Sequence, residues 1–154
     1  MTTKVHVVCD ARGVPLAAGV TPGQASEGRH AADVLAGIRV AGARGRPLTK
    51  PAHLIADRGY DSRANRAALR NRGIRAVIPE RRLPEGKRRR RRGRPSRVTK
   101  EAYRRRSVVE QVIGWLKECR RVATRYEKLA INYLGMLQAA MLRRLLRIWL
   151  SDTA

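Results

Sequence analysis

Residues 81–100 hold eleven Arg and Lys against one Glu, a net charge of +10, and are punctuated by Pro84, Gly86, Gly93 and Pro95. Like charges at this density repel, and the stretch has too little apolar surface to offset the entropy of ordering it. No hydrophobic core can run through it. The chain is therefore expected to fold from residues 2–80 and 101–150, with 81–100 as a basic loop or linker between them. Across all 154 residues, 35 Lys and Arg outweigh 12 Asp and Glu, giving +23 at pH 7. Such a balance calls for a polyanionic partner, nucleic acid first and an acidic membrane surface second. The unbroken run Lys87, Arg88, Arg89, Arg90, Arg91 and Arg92 suits DNA phosphates and predicts a steep salt dependence. A solvated charge run is the alternative reading. Arg44-Gly-Arg-Pro47 and Arg92-Gly-Arg-Pro95 resemble the core of minor-groove AT-hooks, a weak signal in so Arg-rich a chain.

Apolar residues make up 43% of the chain, enough for one domain-sized core, so wholesale disorder is not expected. Phe is absent and aromatics total only 4%, so that core must be built from Ala, Val, Leu and Ile. Cys9 and Cys119 are too far apart in sequence for a metal motif or a disulfide framework. His6, His30 and His53 are scattered, with structural or exposed roles expected. No leader pattern is read at the N-terminus. The most apolar stretch, 129–150, contains Arg143, Arg144 and Arg147, which argues against a membrane span.

Residues 3–9 are β-branched and partly alternating, and residues 14–20 follow a turn at Asp10–Gly13. Together they predict a hairpin. A helix is expected from Ser26 through Ile38, with Asp33 near its start. The apolar run 53–56 reads as a strand ending at Asp57, Ser62 as the cap of a helix over 63–71 that stops at Gly73, and 74–78 as a further strand. Two strands joined through a helix predict local parallel pairing. Single helices are expected over 101–119 and 128–149. The second carries Leu134, Leu137, Met141, Leu145 and Ile148 at helical spacing for packing on a sheet or on the preceding helix; a dimer contact ranks second and a membrane-surface role third.

On a continuous helix at about 100° per residue, Tyr103, Arg106, Glu110 and Lys117 fall on one polar face, while Val109, Val112 and Leu116 form the core stripe. One carboxylate among an Arg, a Lys and a Tyr could grip phosphate and metal together. The plain alternative is a surface ion pair.

The same four residues spell Y-x2-R-x3-E-x6-K. This resembles the C-terminal signature of bacterial insertion-sequence transposases with a DDE catalytic core. The strand running into Ala56-Asp57-Arg-Gly-Tyr-Asp-Ser62 resembles a second landmark of that family. Residues 2–15, Thr21-Pro-Gly-Gln24 and Cys119–Tyr126 resemble further stretches. The likeness runs from about residue 2 to 147. It implies an α/β fold: an RNase H-like mixed sheet flanked by helices. It also implies two Mg2+ ions (Mn2+ as substitute) held by three carboxylates, one activating water or a 3′-hydroxyl and the other stabilising the leaving oxygen. By position, Asp57 and Glu110 would be catalytic metal ligands. Tyr103, Arg106 and Lys117 would contact transposon-end phosphates.

One departure shapes the expectation. The family's first Asp lies on a strand upstream of the hairpin, and this sequence opens already within the hairpin. The expected fold therefore lacks the first strand, the metal site is incomplete, and the isolated chain is inactive. A truncated gene or one frame of a split transposase is the expected source. Its partners would be transposon-end and target DNA, an upstream transposase polypeptide or a second copy, and no membrane; its place would be the bacterial cytoplasm, at the nucleoid. Asp10 is assigned to its turn, Asp61 to a cap or turn, and Gly59 to a backbone conformation reserved for glycine. A non-catalytic DNA-binding remnant or regulator of transposition is the alternative function. A ribosomal-type RNA-binding protein ranks third.

Overall fold

The computed structural model describes residues 2–42, 45–80 and 98–151. In chain order the elements are β1 (Thr3–Cys9), β2 (Pro15–Pro22), α1 (Ala31–Ala36), β3 (His53–Ile55), α2 (Arg63–Asn71), β4 (Arg75–Val77), α3 (Lys100–Arg104), α4 (Ser107–Lys117), α5 (Arg120–Ala123) and α6 (Ala130–Ser151). The fold is mixed α/β. Two compact units can be separated, one of residues 1–25, 32–50 and 107–154, the other of 26–31 and 51–106.

The first unit is built on the hairpin. β1 and β2 pair antiparallel, with Val5 opposite Val20 and Val7 opposite Ala18. Strand side chains alternate in direction, so these four residues share one face. They pack with Val112, Leu116, Val122, Leu137 and Ala140, which brings α4 onto β1 and α6 onto β2. The other face carries His6 and Ala17, both buried. His6 Nε2 lies 2.9 Å from Thr21 Oγ1, which satisfies a polar group that would be costly to bury alone. α1 covers this face closely enough that a Cβ on Gly19 would come within 3.0 Å of Val34.

The turn joining the strands is set by Asp10. Its Oδ1 accepts the backbone N–H groups of Arg12 at 2.9 Å and Val14 at 2.8 Å. Gly13 closes the turn at φ +80°, and a Cβ there would also press on Trp115 at 3.1 Å. Both facts require glycine. Asp10 is thus a turn residue, as expected.

Arg125 holds the end of this unit together. It donates to Thr3 Oγ1, to Glu127 O at 2.8 Å and to Lys128 O at 2.7 Å, and it lies 5.6 Å over the Tyr133 ring. Tyr133 donates its hydroxyl to Val122 O at 2.8 Å. Burial pushes the Tyr133 hydroxyl up from its usual pKa, as does the Glu127 charge, against the lowering by Arg125.

In the second unit β3 and β4 pair in parallel, His53 with Arg75 and Ile55 with Val77, and α2 is the crossover between them. Ser62 caps α2 by accepting Asn65 N–H at 3.1 Å, and Gly73 ends it at φ +69°. Among the described residues of this unit, Leu69, Ile74, Val77 and Ile78 are the buried apolar side chains.

Several expectations change. The described strands pair as two two-stranded sheets, β1 with β2 and β3 with β4. The helix expected from Ser26 starts as a 3-10 turn over Glu27–His30 and continues only through Ala36. The helix over 101–119 is broken: α3 ends at Arg104, and Arg106 N–H turns back to Tyr103 O. Arg106 instead lays its guanidinium 5.7 Å from the Tyr103 ring centre at the break, and a new helix begins at Ser107. α5 was not legible at all. Leu145 is not part of the packed stripe of α6; it is 42% exposed, and Tyr133 and Ala140 are buried instead. The run 87–92 and Arg92–Pro95 lie outside the described residues, as does Arg44.

Cys9 supplies a pH test of the hairpin. Burial, and secondarily the Asp10 charge, push its thiol up to about 11 from 9.0. A group whose pKa rises on folding stabilises the fold fully below its unfolded pKa. Stability should therefore fall as pH rises from about 9 toward about 11, and Cys9→Ala should flatten that decline in urea titrations. An unchanged slope in the variant would rule this out.

Candidate functional site

Asp57 is positioned by the parallel pair. Ala56 N–H still bonds Val77 O at 3.3 Å, and Asp57 follows at once, at the carboxyl end of β3. In open α/β sheets ligand sites gather at the carboxyl ends of parallel strands. Asp57 is partly exposed. Its Oδ1 accepts Gly59 N–H at 2.8 Å, so the residue caps the 3-10 turn Arg58–Tyr60. That bond fixes the carboxylate against its own loop. Gly59 contributes its N–H and not a left-handed backbone, because the positive-φ glycines among the described residues are 13, 45 and 73.

Asp61 then closes the loop in a way that sequence spacing did not show. Its side chain is fully buried and accepts Arg66 Nε at 2.8 Å. The same guanidinium donates from Nη2 to Ile78 O at 2.7 Å. One arginine on α2 thus ties the loop after Asp57 to the chain leaving β4. Asn65 adds a bond from Nδ2 to Tyr60 O at 3.0 Å. The N-cap of α2 is Ser62, while Asp61 closes the 3-10 turn with its backbone N–H on Arg58 O at 3.1 Å, the turn role expected of it, and its side chain adds the ion-paired anchor. Its partner lies five residues on, a spacing that matches neither helical nor strand pairing.

The remaining candidates lie on α3, α4 and the turn between them. Tyr103 and Arg106 meet, with the guanidinium 5.7 Å from the ring centre. Glu110 and Lys117 are both exposed on α4, seven residues apart and so on one face. The break at Arg105 and Arg106 removes the single continuous helix on which all four would share a face. Asp57, Tyr103 and Arg106 belong to one compact unit, and Glu110 and Lys117 to the other. Among the described residues no three His, Cys, Asp or Glu side chains cluster as a metal site would require. No described helix is long and apolar enough to cross a membrane.

Comparison with known proteins adds a family. Residues 1–145 match the model described as the transposase DDE domain. A Burkholderia cepacia protein, named as the candidate transposase of insertion sequence element IS402, is 38% identical over 129 residues, 83% of this chain and 55% of that protein. The chain thus spans about half the length of that relative. A Brucella ovis protein, named likewise for insertion sequence element IS6501, is 30% identical over 140 residues, 91% of this chain and 95% of the relative. No solved structure matches.

Proposed function

The chain belongs to the DDE-domain transposases of insertion sequences, and on that premise we propose that it supplies part of the catalytic core for metal-dependent DNA strand cleavage and strand transfer. The observation that carries this reading is Asp57, held at the carboxyl end of a parallel strand with its Oδ1 fixed by Gly59 N–H. In this reading the architecture is RNase H-like, and Asp57 and Glu110 are two of the carboxylates that hold Mg2+. A further acidic ligand comes from outside the described residues. Tyr103, Arg106, Lys117 and the run 87–92 bind DNA phosphates, with the net charge of +23 driving association by counterion release. A second reading, DNA binding without chemistry, draws support from the net charge of +23, which needs no metal to bind phosphates.

The test is nicking of linear DNA in Mg2+ or Mn2+, by the chain alone and with the upstream segment of a longer relative added. Asp57→Ala and Glu110→Ala should each lower cleavage by about 100-fold or more, beyond the loss typical of residues that only support a ligand. DNA binding should persist in both variants and weaken steeply with salt. Binding with no cleavage under any condition would leave the second reading.

A further inference from the structure

α6 carries two apolar faces, and its own unit uses only one. Tyr133, Leu137 and Ala140 are buried against β2, α4 and α5. Ile131, Leu142, Leu145 and Trp149 stay exposed at 69%, 55%, 42% and 67%. With Gly135 and Gln138 they occur at intervals of 4, 3, 4, 3 and 4 residues. That is the spacing of a coiled-coil seam. At about 100° per residue the seam lies roughly 150° around the helix from the buried face.

We propose that this seam is the contact between two copies of the chain, paired antiparallel through α6 about a two-fold axis. Three observations single out a second copy as the occupant. The first is complementarity. The interval pattern is symmetric about Ala140, so in an antiparallel pair Ile131 faces Trp149, Gly135 faces Leu145 and Gln138 faces Leu142. A Cβ on Gly135 would meet nothing within 4 Å, so the space there can receive the larger Leu145 of the partner. A parallel pair would instead set Gly135 against Gly135 and Trp149 against Trp149.

The second is charge. A chain at +23 should repel its copy, yet no Arg or Lys lies in the seam. Arg143, Arg144 and Arg147 sit more than about 100° from its centre. All three are engaged within their own unit, Arg143 donating to Cys119 Sγ at 3.3 Å, Arg144 lying 3.5 Å over the Trp115 ring and Arg147 3.6 Å from Glu118. The third is area. With Leu146 at its flank, 44% exposed, the seam leaves five large apolar side chains open on one helix face, an area that one copy alone cannot cover and a second copy would double toward that of a stable interface. A contiguous apolar patch of that size marks an interaction surface on a soluble protein. This pairing goes beyond the proposed chemistry and does not depend on it.

Sedimentation equilibrium of nuclease-treated protein is the test, in about 0.5 M salt to screen the net charge. The natural chain should dimerise at tens of micromolar or below. Leu142→Glu should be monomeric with unchanged far-UV circular dichroism. Gln138→Leu should tighten the dimer by about tenfold or more, because a polar seam residue lowers stability. Mixing Leu142→Glu with Gln138→Lys should restore association, since positions 138 and 142 meet only in the antiparallel pair. A monomeric natural chain, or a dimer indifferent to Leu142→Glu, overturns the proposal. Failure of the mixed pair to associate overturns the antiparallel arrangement.

Discussion

Arg66→Met should destabilise the protein by about 3 kcal/mol, the low end of the cost of breaking a buried ion pair. The Arg66 side chain is 20% exposed, so its part of the pair is partly screened, whereas the Asp61 side chain is fully buried. Methionine keeps the apolar stem but removes both bonds, leaving a buried carboxylate without its guanidinium and Ile78 O without that donor. Arg66→Lys should recover only part of the loss, because an ammonium cannot reproduce two directed bonds from one planar group. Adding Asp61→Leu to Arg66→Met should recover stability, since exchanging both members for apolar groups removes the buried charge. Urea unfolding of the four proteins measures this directly. A single-variant loss below about 1 kcal/mol would show that the clamp carries little of the stability of the second unit. The same clamp holds the loop that follows Asp57, so Arg66→Met should also loosen that loop to hydrogen exchange, at Gly59 N–H first.

Leu137→Ala should be the more damaging core substitution, costing about 2–5 kcal/mol. Leu137 is wholly buried and sits where α6 meets the hairpin, in one cluster with Val112, Leu116, Val122 and Ala140. Its neighbours approach from the hairpin and from two other helices, so the site cannot collapse around the void without moving several elements. Leu145→Ala, on the same helix but 42% exposed, should cost well under half as much in the monomer. Thermal or urea unfolding of the pair, at a concentration that keeps both monomeric, separates the two faces of α6. Equal losses would mean that the buried and exposed stripes have been wrongly distinguished.

Those two cases mark what was legible in the amino-acid order. The hairpin, the turn at Asp10, and α2 with its Ser62 cap and Gly73 stop follow from local causes: β-branched alternation, side-chain bonds to nearby N–H groups, and glycine's access to positive φ. The parallel pair followed from the order strand, helix, strand. The place of Asp57 was equally readable, because it depends only on where an apolar run stops. Family membership was carried by motif order, and the family match bears it out.

What the order alone left undecided was every choice between local options of similar energy. A helix over 101–119 and two helices broken at Arg105 differ by about one turn of hydrogen bonds, a difference that local propensity leaves open. Asp61 could cap, turn or pair, and only the fold brings Arg66 and Ile78 O within bonding distance of one another. Both stripes of α6 are apolar at helical spacing, so periodicity could not say which one meets the hairpin. The sequence by itself determined the local elements and the family, since these rest on near neighbours along the chain. Tertiary structure decided which carboxylate is buried and which face of α6 is left open, because burial is a property of distant residues meeting.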